Sequence, residues 1–171
     1  MDILRAPWRM DYIRASGDNT EGGSKNEKCI FCSFAREKDD EENLILARGE
    51  AAYVVLNRYP YSSGHVMVIP YLHTSDLRTL PSGDAAEIFS LAQKAIHAIE
   101  RAMGADGFNL GMNIGRIAGA GIDTHLHLHV VPRWNGDTNF MSVTAETKVL
   151  PEALKVTREK LLKAWISAEQ S

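Results

Sequence analysis

The chain has 171 residues, of which 44% are hydrophobic and 24% charged, with a net charge of −3. That is the size and composition of one globular domain with a core of its own. The near balance of charge excludes an overall basic field for nucleic acid or anionic lipid. No apolar run approaches the ~18 residues of a membrane helix, and Met1 to Trp8 lacks the apolar stretch of a signal peptide. The reading is a cytoplasmic protein with neither nucleic acid nor membrane as partner.

Residues 1–28 read as an arm, with Trp8, Met10 and Tyr12 to bury, followed by a glycine-rich polar loop over 16–24. Residues 29–171 read as a single domain. A short helix is expected over about 29–38, ending in the charged run 37–42. Strands are expected over 44–47, 52–56 and 64–69, with short connections that suit an antiparallel meander. From about 84 to 103, Ile88, Leu91, Ala95, Ile99 and Ala102 recur at helical spacing, and Gly104 is placed to end that helix. His97 lies off this stripe and reads as a surface residue.

A fourth strand is expected over 107–114, where Phe108, Leu110, Met112 and Ile114 alternate with small or polar residues. A fifth, over 125–131, alternates most cleanly. A last helix begins near Pro151 and buries Leu154, Leu161 and Trp165. The fold class is α+β: a five-stranded antiparallel sheet with a long helix and a C-terminal helix.

The chemistry concentrates in His125-Leu126-His127-Leu128-His129. Side chains alternate faces along a strand, so the three imidazoles share one face. The first and third stand ~13 Å apart at ~3.3 Å per residue. Leu126, Leu128 and Val130 face the other way. Just upstream, residues 113–123 are rich in glycine: Gly115, Gly119 and Gly121. Such a segment lets successive N–H groups converge on an anion; Asn113 adds an amide and Arg116 a charge. A phosphate cradle beside a neutral, nucleophilic imidazole suits attack at phosphorus. The other readings of these residues are a metal-binding histidine stripe and a solvent face that happens to be rich in histidine.

This run, His-φ-His-φ-His-φ-φ with φ apolar, resembles the signature of the histidine triad (HIT) family. Residues 53–60 and 64–70 look like that family's nucleoside-binding strand pair, and Ile30-Phe31 like its base-pocket segment. The resemblance implies a HIT-like fold and a nucleotide hydrolase or transferase. In it His127 attacks the α-phosphorus to give a nucleotidyl-histidine intermediate that water or phosphate resolves. It implies that His129 and Asn113 hold phosphate oxygens and that the backbone of Gly119, Ala120 and Gly121 lines the site. The main-chain carbonyl of His125 would accept from the second nitrogen of His127, Asn57 would bind ribose, and Ile30 and Phe31 would pack on the base. Three residues before His125, where many members carry Ser or Thr, this chain has Ile122.

Residues 6–13 and 132–141 are similar to the branch that contains diadenosine tetraphosphate phosphorylases. That implies a dinucleoside polyphosphate or related adenosine nucleotide as substrate. The resemblance further implies a homodimer and a structural Zn²⁺ held by Cys29, Cys32, His73 and His125. His65 reads as structural, hydrogen-bonded in the core. Two other function classes stay open: a nucleotide-binding sensor with negligible turnover, and a redox or zinc-storage protein resting on the cysteine pair.

Overall fold

The computed structural model describes residues 29–137 and 152–169. The expected N-terminal arm, the loop over 16–24 and the start of the last helix at Pro151 lie outside the described residues. Within them, the elements run α1 (Ile30–Arg36), β1 (Ile45–Arg48), β2 (Ala52–Leu56), β3 (Val66–Pro70), α2 (Ser82–Met103), β4 (Gly107–Gly111), β5 (Leu128–Arg133) and α3 (Leu154–Glu169). The five strands form one antiparallel sheet in the order β1-β2-β3-β5-β4. The expected meander of the first three strands is therefore present, and β5 inserts between β3 and β4.

One face of the sheet is covered by α2, which packs across β2, β3 and β5 and alongside α3. Its buried stripe is Ile88, Leu91, Ala92, Ala95, Ala98 and Ile99, while His97 is exposed. Gly104 ends the helix at φ 63°, a left-handed position that costs glycine little. β2 and β3 are buried at every position, because α2 covers one face and α1 and its loop press on the other. In α3, Leu161 and Trp165 are buried and Leu154 is half-buried. Arg158 of this helix donates to the Ile45 carbonyl at 3.0 Å and ties it to β1.

Several boundaries differ from the sequence reading, four of them for a clear local reason. β1 begins at Ile45, because Leu44 turns to φ 59°, an outlier for a side chain of this size. β3 begins at Val66, after the His65 carbonyl has accepted from Asn57 N–H and closed the hairpin. β4 stops at Gly111, and the chain leaves for a 3-10 turn over Arg116–Ala118. β5 begins at Leu128, three residues later than expected. The ladder with β3 closes at the Val68–Leu128 pair: Pro70 has no N–H to donate and its carbonyl accepts from His125 Nε2, and Leu126 N–H bonds instead to the Thr74 carbonyl at 2.7 Å. The first two triad histidines thus stand just before the ladder, held by other contacts.

Candidate functional site

The site lies on the face opposite α2, between α1 and the start of β5. Helix α1 has only seven residues and little propensity to stand alone. Tertiary contacts hold it. The Arg48 guanidinium donates to the carbonyls of Phe34, Ala35 and Glu37 at its C-terminal end, and pairs with Asp40 at 2.7 Å. The buried Tyr53 hydroxyl donates to the Phe31 carbonyl at 2.8 Å. Phe31 is thereby pressed against two triad histidines, with ring centroids 5.6 Å from His125 and 5.3 Å from His127.

The hydrogen bonds assign a proton to each triad ring. A carbonyl oxygen only accepts, so the 2.9 Å contact of His127 Nδ1 with the His125 carbonyl puts the proton on Nδ1. His127 Nε2 keeps its lone pair. Burial pushes the His127 pKa below the usual imidazole value, which favours this neutral form.

The proton on His129 is set through His65. Tyr61 N–H can only donate, and it meets His65 Nδ1 at 3.0 Å. The His65 proton therefore sits on Nε2, which faces His129 Nδ1 at 3.0 Å. His129 Nδ1 must accept, so His129 carries its proton on Nε2 as a donor. One ring is thus an acceptor of electrophiles and the next a donor to anions, with centroids 4.8 Å apart. His65 is hydrogen-bonded in the core as expected. That it also fixes the proton of His129 was not anticipated from sequence.

The third ring faces elsewhere. His125 Nε2 donates to the Pro70 carbonyl at 2.9 Å, which leaves Nδ1 unprotonated. That atom lies 3.4 Å from Cys29 Sγ and 3.6 Å from Cys32 Sγ, and His73 Nδ1 lies 3.2 Å from Cys32 Sγ. The four ligand atoms all fall within 4.8 Å of one another. An S–N edge of a tetrahedral zinc site is ~3.6 Å at the usual bond lengths, so this cluster can hold a metal ion. Burial holds His125 neutral, with its pKa down to about 4. Burial and the Cys29 thiol push Cys32 up to about 11, so only a cation would make the Cys32 thiol ionise near neutral pH.

The remaining expected residues distribute as follows. Ile30, Phe31, Asn57, Gly121, His127 and His129 line one pocket. Asn57 accepts Tyr59 N–H on its Oδ1 at 2.9 Å. Ala120 is buried, and Gly119, at φ 89°, accepts from Asn113 Nδ2 at 3.3 Å. Asn113 lines a neighbouring groove rather than this pocket. Ile122 lines the pocket and brings no hydroxyl. Phe34, Leu44 and Met67 complete its apolar wall; in the sequence they look like ordinary core residues, and nothing distinguishes them. Among the described residues, no buried side-chain nitrogen or oxygen lacks a hydrogen-bond partner.

The HIT domain family model matches residues 38–136. The chain belongs to the HIT family. It is 40% identical over 162 residues to an AP-4-A phosphorylase of Mycobacterium tuberculosis, covering 95% of this chain and 83% of that protein. An adenosine 5′-monophosphoramidase of Schizosaccharomyces pombe is 30% identical over 78% of this chain and 95% of its own. Among solved structures, a Zn-bound histidine triad family protein from Mycobacterium smegmatis superposes with a TM-score of 0.70 at 27% identity, covering 85% of this chain and 98% of that one. At family level this HIT chain is a nucleotide-processing enzyme, a hydrolase or transferase. No helix among the described residues is long and apolar enough to cross a membrane.

Proposed function

We propose that this HIT protein cleaves dinucleoside polyphosphates such as diadenosine tetraphosphate, or related adenosine phosphates, by attack of His127 on the α-phosphorus. The carrying observation is the His127 Nδ1–H bond to the His125 carbonyl at 2.9 Å. It aims an unprotonated Nε2 into a pocket walled by Phe31 on one side and His129 on the other.

One adenine enters the apolar pocket against Ile30 and Phe31, with the ribose near Asn57. His129 Nε2–H holds a non-bridging oxygen of the α-phosphate, and the backbone of residues 119–121, with Asn113, closes round it. His127 Nε2 forms a bond to the α-phosphorus as the bond to the α,β-bridging oxygen breaks. The electron pair leaves on that oxygen with the released nucleotide, which is ATP for diadenosine tetraphosphate. An oxygen of phosphate or water then attacks the adenylyl phosphorus and the P–N bond breaks. The second nucleotide leaves as ADP or AMP respectively, and His127 is restored. The same route serves adenosine phosphoramidates: the nitrogen takes a proton from solvent as its bond to phosphorus breaks, and ammonia leaves.

Cys29, Cys32, His73 and His125 would hold a structural Zn²⁺, closed by four protein ligands. Bound there, the ion supplies a cross-link between the start of α1 and the catalytic strand. The working unit is a cytoplasmic homodimer. In support, Ile114 just beyond β4 and Phe89 on α2 are exposed apolar side chains.

The test is turnover of diadenosine tetraphosphate and adenosine 5′-phosphoramidate by the parent protein and His127→Ala. Added phosphate should convert the AMP product of hydrolysis to ADP. Equal turnover by the variant overturns the reading. Ile122, which leaves the leaving group without a nearby hydroxyl, favours a second reading as a nucleotide sensor; tight binding with no turnover by the parent would select it.

A further inference from the structure

The pocket that holds Phe31 has a volume of about 110 Å³, below the ~300 Å³ at which sites for whole drug-sized ligands begin, so it does not take both nucleosides of a dinucleotide. A second concavity of about 370 Å³ lies beside it, and Tyr61 and His129 line both. The two therefore adjoin at Tyr61 and His129, beside the position where His129 would hold phosphate.

We propose that this second groove holds the distal nucleoside of a dinucleoside polyphosphate. The inference rests on the nucleotide reading above and adds the course of the substrate: from Phe31, past His127 and His129, along β5 to Arg133.

The geometry of the groove supports this course. His129, Val131 and Arg133 lie on one face of β5, and Leu128, Val130 and Pro132 are buried on the other. From His129 to Arg133 the strand advances ~13 Å, the reach of a short polyphosphate chain rather than of one phosphate. Gly111 pairs with His129 in the register, and a Cβ added to it would meet nothing within 4 Å. The floor beside the phosphate position is thus low and open. Asn113 lies at the near end of the groove.

The far end fits a neutral group better than an anion. Arg133 donates to both carboxylate oxygens of Asp137 and to Asn109 Oδ1 at 3.1 Å. The carboxylate cancels the guanidinium charge, so there is little field to draw a further phosphate. With edge N–H groups occupied, Arg133 offers a planar face, the kind of surface on which a base stacks. Asn109, its oxygen held by Arg133, keeps amide donors for a ribose or base acceptor.

Equilibrium binding to the full chain carrying His127→Ala separates the possibilities. The probes are diadenosine tetraphosphate and adenosine 5′-tetraphosphate, which share a phosphate count and differ by one nucleoside. Diadenosine tetraphosphate should bind about tenfold more tightly, the size of one base-stacking contact. Arg133→Gln should remove most of that advantage. Asn109→Ala, an exposed change that breaks no carboxylate pair, should reduce it severalfold, with adenosine 5′-tetraphosphate affinity unchanged in both. Equal affinity of the two probes, or an advantage that survives both substitutions, overturns the proposal. The advantage seen without turnover by the His127 protein would instead retain the groove and sink the catalytic reading. Turnover without the advantage would do the reverse.

Discussion

Replacing His65 separates its packing from its role in setting the His129 proton. The ring is fully buried and bonded at both nitrogens: Nδ1 accepts from Tyr61 N–H, and Nε2 faces His129 Nδ1. His65→Leu keeps the apolar volume and removes both bonds. The stranded Tyr61 N–H should cost about 1–3 kcal/mol of stability. Losing the bond to His129 releases that ring to either tautomer, and its Nε2 need no longer present a proton to phosphate. A hydrogen bond of 1–3 kcal/mol realised in the transition state corresponds to roughly 5- to 150-fold in kcat/KM.

His65→Gln is the informative partner. Its amide oxygen can accept from Tyr61 N–H while its NH₂ donates to His129, so it restores both roles in one orientation. The assay is kcat/KM for diadenosine tetraphosphate with saturating phosphate, alongside thermal unfolding of each variant. The expected order is parent, then Gln, then Leu, with Gln recovering at least half of the logarithmic loss. If Leu matched the parent, or if Gln fell with Leu while both stayed folded, the assignment of protons along Tyr61, His65 and His129 would be wrong.

Three further outcomes follow from the same structure. Protein purified without added metal should carry about one zinc per chain, and chelation should lower the unfolding temperature; freshly reduced protein with no metal, or an unchanged transition, would remove the zinc proposal. Arg48→Ala should loosen α1 by stripping donors from three carbonyls, raising KM for nucleotides several-fold with a smaller effect on kcat; a pure kcat effect would contradict this. Phe31→Ala removes a buried side chain that touches two triad rings, so it should destabilise by about 3–5 kcal/mol and abolish discrimination among bases. Its unfolding curve and a substrate panel check both.

The triad was legible because it breaks an expectation: a strand face three histidines long has no packing reason to exist. The cysteine pair acquired meaning only with His73 and His125, which lie 41 and 93 residues from Cys32; no local pattern links residues so far apart. The long helix and its glycine stop were readable from period and capping alone. The start of β5 was not, because it depends on partners outside the ladder, the Pro70 carbonyl for the His125 ring and the Thr74 carbonyl for Leu126 N–H. Arg48 reads as one charged residue among many, and its capping of α1 exists only in three dimensions. His65 looked structural because the proton it imposes on His129 is fixed by a backbone donor at Tyr61, which leaves no trace in residue identity.

The central claim is that His127 Nε2 becomes covalently bonded to the α-phosphorus. Peptide mapping by mass spectrometry of enzyme quenched during turnover of diadenosine tetraphosphate without phosphate tests it directly. The account predicts an acid-labile adenylyl group on the peptide that contains the triad, localised to His127 and absent from His127→Ala. An adenylyl group on another residue, or undiminished turnover by the His127→Ala protein, would contradict it.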